Sequence, residues 1–126
     1  VTFEFNDVFG HILAFEVFEH IPFEKFVEVI KKVSKACRRY LFMSVPRCER
    51  VLLRLEYRIP KLGSRSIELA IRRKKIVEPH HFWELDHGGV TCELINDIIS
   101  RACFKQVQRF KKFSRIFFAF KKIAEI

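Results

Sequence analysis

Two nearly unbroken apolar runs, residues 12–15 (Ile-Leu-Ala-Phe) and 41–45 (Leu-Phe-Met-Ser-Val), bracket a stretch of helical periodicity. Strands that are apolar on both sides are strands covered on both faces. Between them Phe23, Phe26, Val27, Ile30 and Val33 recur every three or four residues, which is one apolar helix face. Glu24, Lys25, Glu28, Lys31, Lys32 and Lys35 fall mainly on the other side, acids early and lysines late, as the helix dipole favours. Pro22 suits the first helical turn, where its missing N–H costs nothing. Strand, polar switch, helix, strand is a βαβ unit, so the fold class is α/β. The polar switch carries Glu16, Glu19 and His20, and it falls at the carboxyl end of a strand, where open α/β sheets bind ligands.

Further along, the period changes. Val51, Leu53, Leu55 and Tyr57 alternate with Arg54 and Glu56; Ile67, Leu69 and Ile71 alternate with Ser66, Glu68 and Ala70. Residues 60–64 (Pro-Lys-Leu-Gly-Ser) have turn composition, so a β-hairpin with one apolar face is expected over about 50–76. A second helix is expected from about Thr91 to Ala102. Thr91 is its N-cap, and Leu94, Ile95, Ile98, Ile99 and Ala102 form its buried stripe. Residues 106–110 and 115–121 read as an antiparallel strand pair at the C-terminus.

A chain of 126 residues has the length of one domain, and fifteen Phe can build its core. No apolar run nears the roughly 20 residues of a membrane span, and no N-terminal signal pattern is present. Cys37, Cys48, Cys92 and Cys103 form no C-x-x-C pair. They read as free thiols of a reducing, cytoplasmic compartment. The net charge is +9. The first 36 residues are slightly acidic, and much of the basic excess lies between Arg38 and Lys75. That region suits a polyanion, whether nucleic acid, acidic phospholipid or an anionic substrate; the alternative is a solvated surface.

The string Phe15-Glu16-Val17-Phe18-Glu19-His20-Ile21-Pro22, followed by a helix and a strand ending in Ser44-Val45-Pro46, resembles the middle of a class I S-adenosylmethionine-dependent methyltransferase. The resemblance implies a Rossmann-like sheet with S-adenosylmethionine as cofactor, Ala14 and Phe15 beside it, and Glu16, Glu19 and His20 as catalytic residues. The other reading of Glu19 and His20 is that they cap the following helix. It also implies that the hairpin is an insertion shaping the substrate side, and that the last two strands are the family's closing antiparallel pair. The family grips its cofactor with a Gly-rich loop after its first strand, but Gly10, Gly63, Gly88 and Gly89 form no G-x-G. Residues 1–126 therefore read as a single partial methyltransferase domain, its C-terminal half, truncated at the N-terminus. The sheet would then have a raw edge beside residues 12–15, open to self-association. Alternating residues 1–5 are expected to cover part of it.

Two groups of methyltransferases that resemble this motif hold a divalent ion with Glu-x-x-Glu-His. They are the ubiquinone-pathway polyprenyl-catechol O-methyltransferases and the small-RNA 3′-terminal 2′-O-methyltransferases. The RNA group adds the first His of His-x-Phe-Glu-Trp. Here His80-His81-Phe82-Trp83-Glu84 matches that spacing at His80, with Trp and Glu exchanged. Many relatives carry the motif without metal, and no metal is assigned. The family's Ala-Gly-Phe turn is Ala102-Cys103-Phe104 here, which puts Cys at a left-handed cap. The function read from the sequence is methyl transfer to an oxygen, nitrogen or carbon nucleophile of an unidentified acceptor. The alternative is a non-catalytic basic binding module derived from the same fold.

Overall fold

The computed structural model describes residues 4–124. Strand β1 (Phe9–Phe15) leads through a 3-10 turn (Phe18–His20) into helix α1 (Phe23–Ala36) and strand β2 (Cys37–Pro46). β1 and β2 pair in parallel, with Leu13 opposite Phe42 and Phe15 opposite Ser44, so α1 is the crossover of a βαβ unit. After a hairpin, β3 (Glu49–Ile59) and β4 (Gly63–Arg72), come helix α2 (Cys92–Arg101) and strands β5 (Phe104–Lys112) and β6 (Arg115–Lys122). The main sheet has the order β1-β2-β6-β5, with β6 antiparallel to both neighbours.

The helices cover one face of this sheet. Leu41, Met43 and Val45 of β2 and Ile116, Phe118 and Phe120 of β6 pack there with Phe26, Ile30 and Val33 of α1 and Ile95 and Ile99 of α2. Val29, not Val27, completes the α1 stripe; Val27 lies on the exposed side. Phe23, Phe26, Val27 and Ile30 keep the same i, i+3, i+4, i+7 spacing as Phe26, Val29, Ile30 and Val33, so periodicity alone does not choose between the rows, and contact with the sheet and α2 selects the second. Thr91 caps α2, its hydroxyl accepting from the Leu94 N–H at 3.1 Å. Between the helices, the buried Lys122 ammonium donates to the Ser34 carbonyl and hydroxyl, and Ser34 Oγ donates to the Ala102 carbonyl.

The opposite face differs from the expectation drawn from the unbroken apolar runs. Leu13, Phe15 and Phe110 are about half exposed or more, and among the described residues no helix covers them. β1 is also an edge strand among the described residues. Of residues 1–5, the first three lie outside the described chain. Glu4 and Phe5 belong to no strand, and Glu4 pairs with Lys32 instead.

The hairpin forms its own two-stranded sheet. Its register pairs Leu53 with Leu69 and Leu55 with Ile67 on one face, and Arg54 with Glu68 and Glu56 with Ser66 on the other. The sequence pattern put Val51 on the face of Leu53. A bulge at Leu52 shifts the pleat, so Val51 pairs with Ala70 and joins the opposite face. That polar face turns toward the body: Lys111 of β5 reaches Glu49 at 2.7 Å, and the Arg54 guanidinium sits 4.5 Å over the Phe113 ring.

No described helix is long and apolar enough to cross a membrane. All four cysteines are free, and burial pushes the thiols of Cys37, Cys48 and Cys92 upward in pKa.

Candidate functional site at the carboxyl end of β1

β1 ends at Phe15, and the next residue turns sharply: Glu16 has φ +57°, in the left-handed region. A side chain at such a φ costs about 1 kcal/mol, and strained residues of this kind concentrate at sites. Four interactions hold it. The Glu16 N–H donates to the Ser44 carbonyl at 3.2 Å and to Ser44 Oγ at 3.1 Å. Ser44 Oγ donates to Glu16 Oε1 at 3.2 Å, and Arg115 Nε lies 2.8 Å from the same oxygen. The ends of β1, β2 and β6 therefore converge on one carboxylate.

The turn then carries Glu19 inward. Its side chain has no exposed surface, and neither carboxylate oxygen has a hydrogen-bond partner among the described residues. Burial, reinforced by the neighbouring Glu16 carboxylate, pushes its pKa up to about 8. At neutral pH Glu19 is therefore largely protonated. His20 stays partly exposed. Its Nε2 lies 3.5 Å from Glu19 Oε1, and its Nδ1 is 3.1 Å from the His80 carbonyl.

Neither side chain caps α1. Pro22 occupies the N-cap position without a side-chain hydrogen bond. Residues 80–84 form a strap over the turn instead. The Phe82 N–H donates to the Glu19 carbonyl at 2.8 Å, and Trp83 Nε1 donates to the Phe18 carbonyl at 3.0 Å. Trp83 is buried against Phe23 and Phe26, whereas Phe82 is exposed. The strap brings His81, not His80, to the site. One ligand atom from each of Glu19, His20 and His81 lies within 4.8 Å of the others. His80 contributes only its carbonyl. His81 Nδ1 is 2.5 Å from Glu84 Oε2, the carboxylate–imidazole arrangement that orients a metal-ligating histidine. One carboxylate with two imidazoles fits a transition ion such as Mn²⁺ or Zn²⁺ better than Mg²⁺. Glu16 neighbours Glu19 but is not one of this group, and its carboxylate is engaged by Ser44 and Arg115.

A cleft of about 600 Å³ opens in front of Glu16, His81 and Glu84, and Glu19 and His20 are not in its lining. Glu16 and Arg115 line it from the sheet side, His81 from the strap, Arg47 and Glu49 from the base of the hairpin, and Arg73 from just beyond it. Its charges are mixed, with Arg47 also bound to Asp86 at 2.5 Å. Ala14 points into the helix-covered core, and Phe15 lies on the bare face with its ring 6.1 Å from that of Phe117. Sequence reading missed Arg115 and His81. Arg115 lies 99 residues from Glu16 and left no local signal. His81 had one: Glu84 stands at i+3 from it, as a second carboxylate partner would.

No protein-family model matches the chain, and no curated protein matches it. Among solved structures it is similar to the glycopeptide N-methyltransferase MtfA complexed with S-adenosyl-L-homocysteine. The TM-score is 0.55 at 10% identity, over 96% of this chain and 57% of that one. The chain therefore has a methyltransferase fold and spans a little over half the length of that enzyme.

Proposed function

We propose that the chain is the C-terminal half of an S-adenosylmethionine-dependent methyltransferase domain, with the hairpin as an insertion on the acceptor side. The observation that carries this reading is the methyltransferase fold itself, matched over 96% of the chain. The bare sheet face and the free β1 edge support it, because a parallel strand pair ordinarily lies covered on both faces. They are the seam against which the first three strands and their helices would pack. S-adenosylmethionine, when bound, supplies an electrophilic methyl group to a nucleophile in line with it.

The residues of this chain position and hold charge. Glu16, clamped by Ser44 and Arg115, presents a fixed carboxylate at the strand end to orient the acceptor. Protonated Glu19 holds a proton behind it, and His20 is the exposed group through which that proton exchanges with solvent. Orientation of the acceptor accounts for most of the rate in such a site. A second reading, a transition ion at Glu19, His20 and His81, is favoured by the two orphaned Glu19 oxygens.

Titration calorimetry with S-adenosylmethionine tests the proposal, on the 126-residue chain and on one extended by whatever residues its gene encodes upstream. The isolated chain is expected to bind weakly or not at all, and the extended chain to bind and to methylate. Glu16→Gln in the extended chain should then impair transfer without lowering the melting temperature. An extended chain that binds no cofactor would leave the non-catalytic binding module as the reading.

A further inference from the structure

The hairpin carries an apolar ribbon turned away from the rest of the chain. Leu53, Leu55, Ile67, Leu69 and Ile71 lie side by side on its outer face, each at least 50% exposed. Leu52 at the bulge and Leu62 at the turn extend it, at 52% and 68%. An exposed aliphatic surface of this extent marks a contact site.

Its surroundings say what kind. Residues 49–75 hold nine bases and three acids. Two of those acids, Glu49 and Glu68, are already engaged by Arg47, Arg54 and Lys111 on the inner face. Arg50, Arg58, Lys61, Arg65 and residues 72–75 form no ion pair among the described residues. Arg50 pairs with Ile71 at one end of the ribbon, and Arg65 pairs with Tyr57 toward the other.

We propose that the hairpin docks on an anionic phospholipid surface. The aliphatic ribbon meets the acyl boundary, and the fringing guanidinium and ammonium groups meet the phosphates. This is independent of the methyl-transfer reading. Charge selects the occupant. A second copy of the hairpin would bring two strongly basic fringes together, whereas an anionic bilayer neutralises them. Nucleic acid would satisfy the fringe but not the aliphatic centre, which offers only Tyr57 as a stacking surface.

Co-sedimentation with vesicles tests this, using phosphatidylcholine alone and phosphatidylcholine with phosphatidylglycerol. The chain is expected to pellet only with the anionic vesicles and to be released at high salt. The double variant Leu55→Thr/Leu69→Thr keeps strand-forming residues, so it should retain the circular dichroism spectrum and melting temperature while losing the vesicles. Arg58→Gln/Arg65→Gln should weaken binding in proportion to the charge removed. Vesicle binding undiminished in the Leu→Thr variant would overturn the role of the ribbon. No binding to anionic vesicles at low salt would overturn the proposal outright. It would do so in favour of nucleic acid if the chain is retained on RNA, and of a second copy if sedimentation velocity shows a dimer that the Leu→Thr variant lacks.

Discussion

The sheet body and the β3–β4 hairpin both present apolar strand faces and treat them oppositely. The body strands are nearly unbroken apolar runs rich in Phe, and the hairpin strands alternate Leu and Ile with polar residues. In the body, Leu41, Met43 and Val45 are sealed under α1 and α2. In the hairpin, Leu53, Leu55 and Leu69 stand in solvent. The difference lies not in the strands but in their connections: a helix after β1 and another before β5, and only a tight turn between β3 and β4. Apolar alternation thus specifies a surface that wants covering, and connectivity decides whether the chain covers it.

Truncation separates the two regions most sharply. Phe26→Ala removes a fully buried ring that packs on Phe18 and Trp83 and should cost about 3–5 kcal/mol, read as a lowered denaturant midpoint. Leu55→Ala in the hairpin, half exposed on the outer face, should stay within about 0.5 kcal/mol. Equal costs would mean that the ribbon is covered in solution and that the contrast between the regions is wrong.

The next effect belongs to the body, where a buried carboxyl group faces His20 with neither oxygen in hydrogen-bond geometry. Glu19 has its pKa raised from 4.5 to about 8 by burial. The folded state therefore binds a proton more tightly than the unfolded chain. Its contribution is full below about pH 4.5 and is lost as pH rises toward 8. The melting temperature should fall across that window, and Glu19→Gln should flatten the fall. Mn²⁺ offers a second lever. If Glu19, His20 and His81 bind it, the ion stabilises the chain more as pH rises, since its ligands must be deprotonated. A flat profile in the native chain would mean that Glu19 is solvated.

These contrasts mark what the sequence makes legible. The βαβ unit, the capped second helix and the closing strand pair arise from local periodicity, because each element's pattern is written within its own residues. The Leu52 bulge is invisible at that level, since it is defined by the strand opposite and leaves Leu52 looking like any other apolar residue. The site divides in the same way. Glu16, Glu19 and His20 stand out at a strand end, but Ser44, Arg115 and His81 reach them from 28 to 99 residues away. The choice of His81 over His80 depends on where Trp83 buries, which fixes the strap and points one imidazole inward.

The smallest effect tests how each region handles its tight turns. The hairpin turn places Lys61 at φ +70° and Gly63 at φ +83°, and at Gly63 the missing Cβ removes the penalty. The body places Cys103 at φ +68° after α2, where a side chain costs about 1 kcal/mol. The geometry at Cys103 is held by backbone: its N–H donates to the Ser100 carbonyl at 3.1 Å, and its carbonyl accepts from the Ile123 N–H at 2.9 Å. Both bonds survive loss of the side chain. Cys103→Gly should therefore stabilise the chain by somewhat less than about 1 kcal/mol, because glycine also loosens the unfolded state. Gly63→Ala should destabilise by a similar amount with the sign reversed. Thermal melts of the two variants, measured under reducing conditions, give both signs. A destabilised Cys103→Gly would show that the thiol packs usefully against α2.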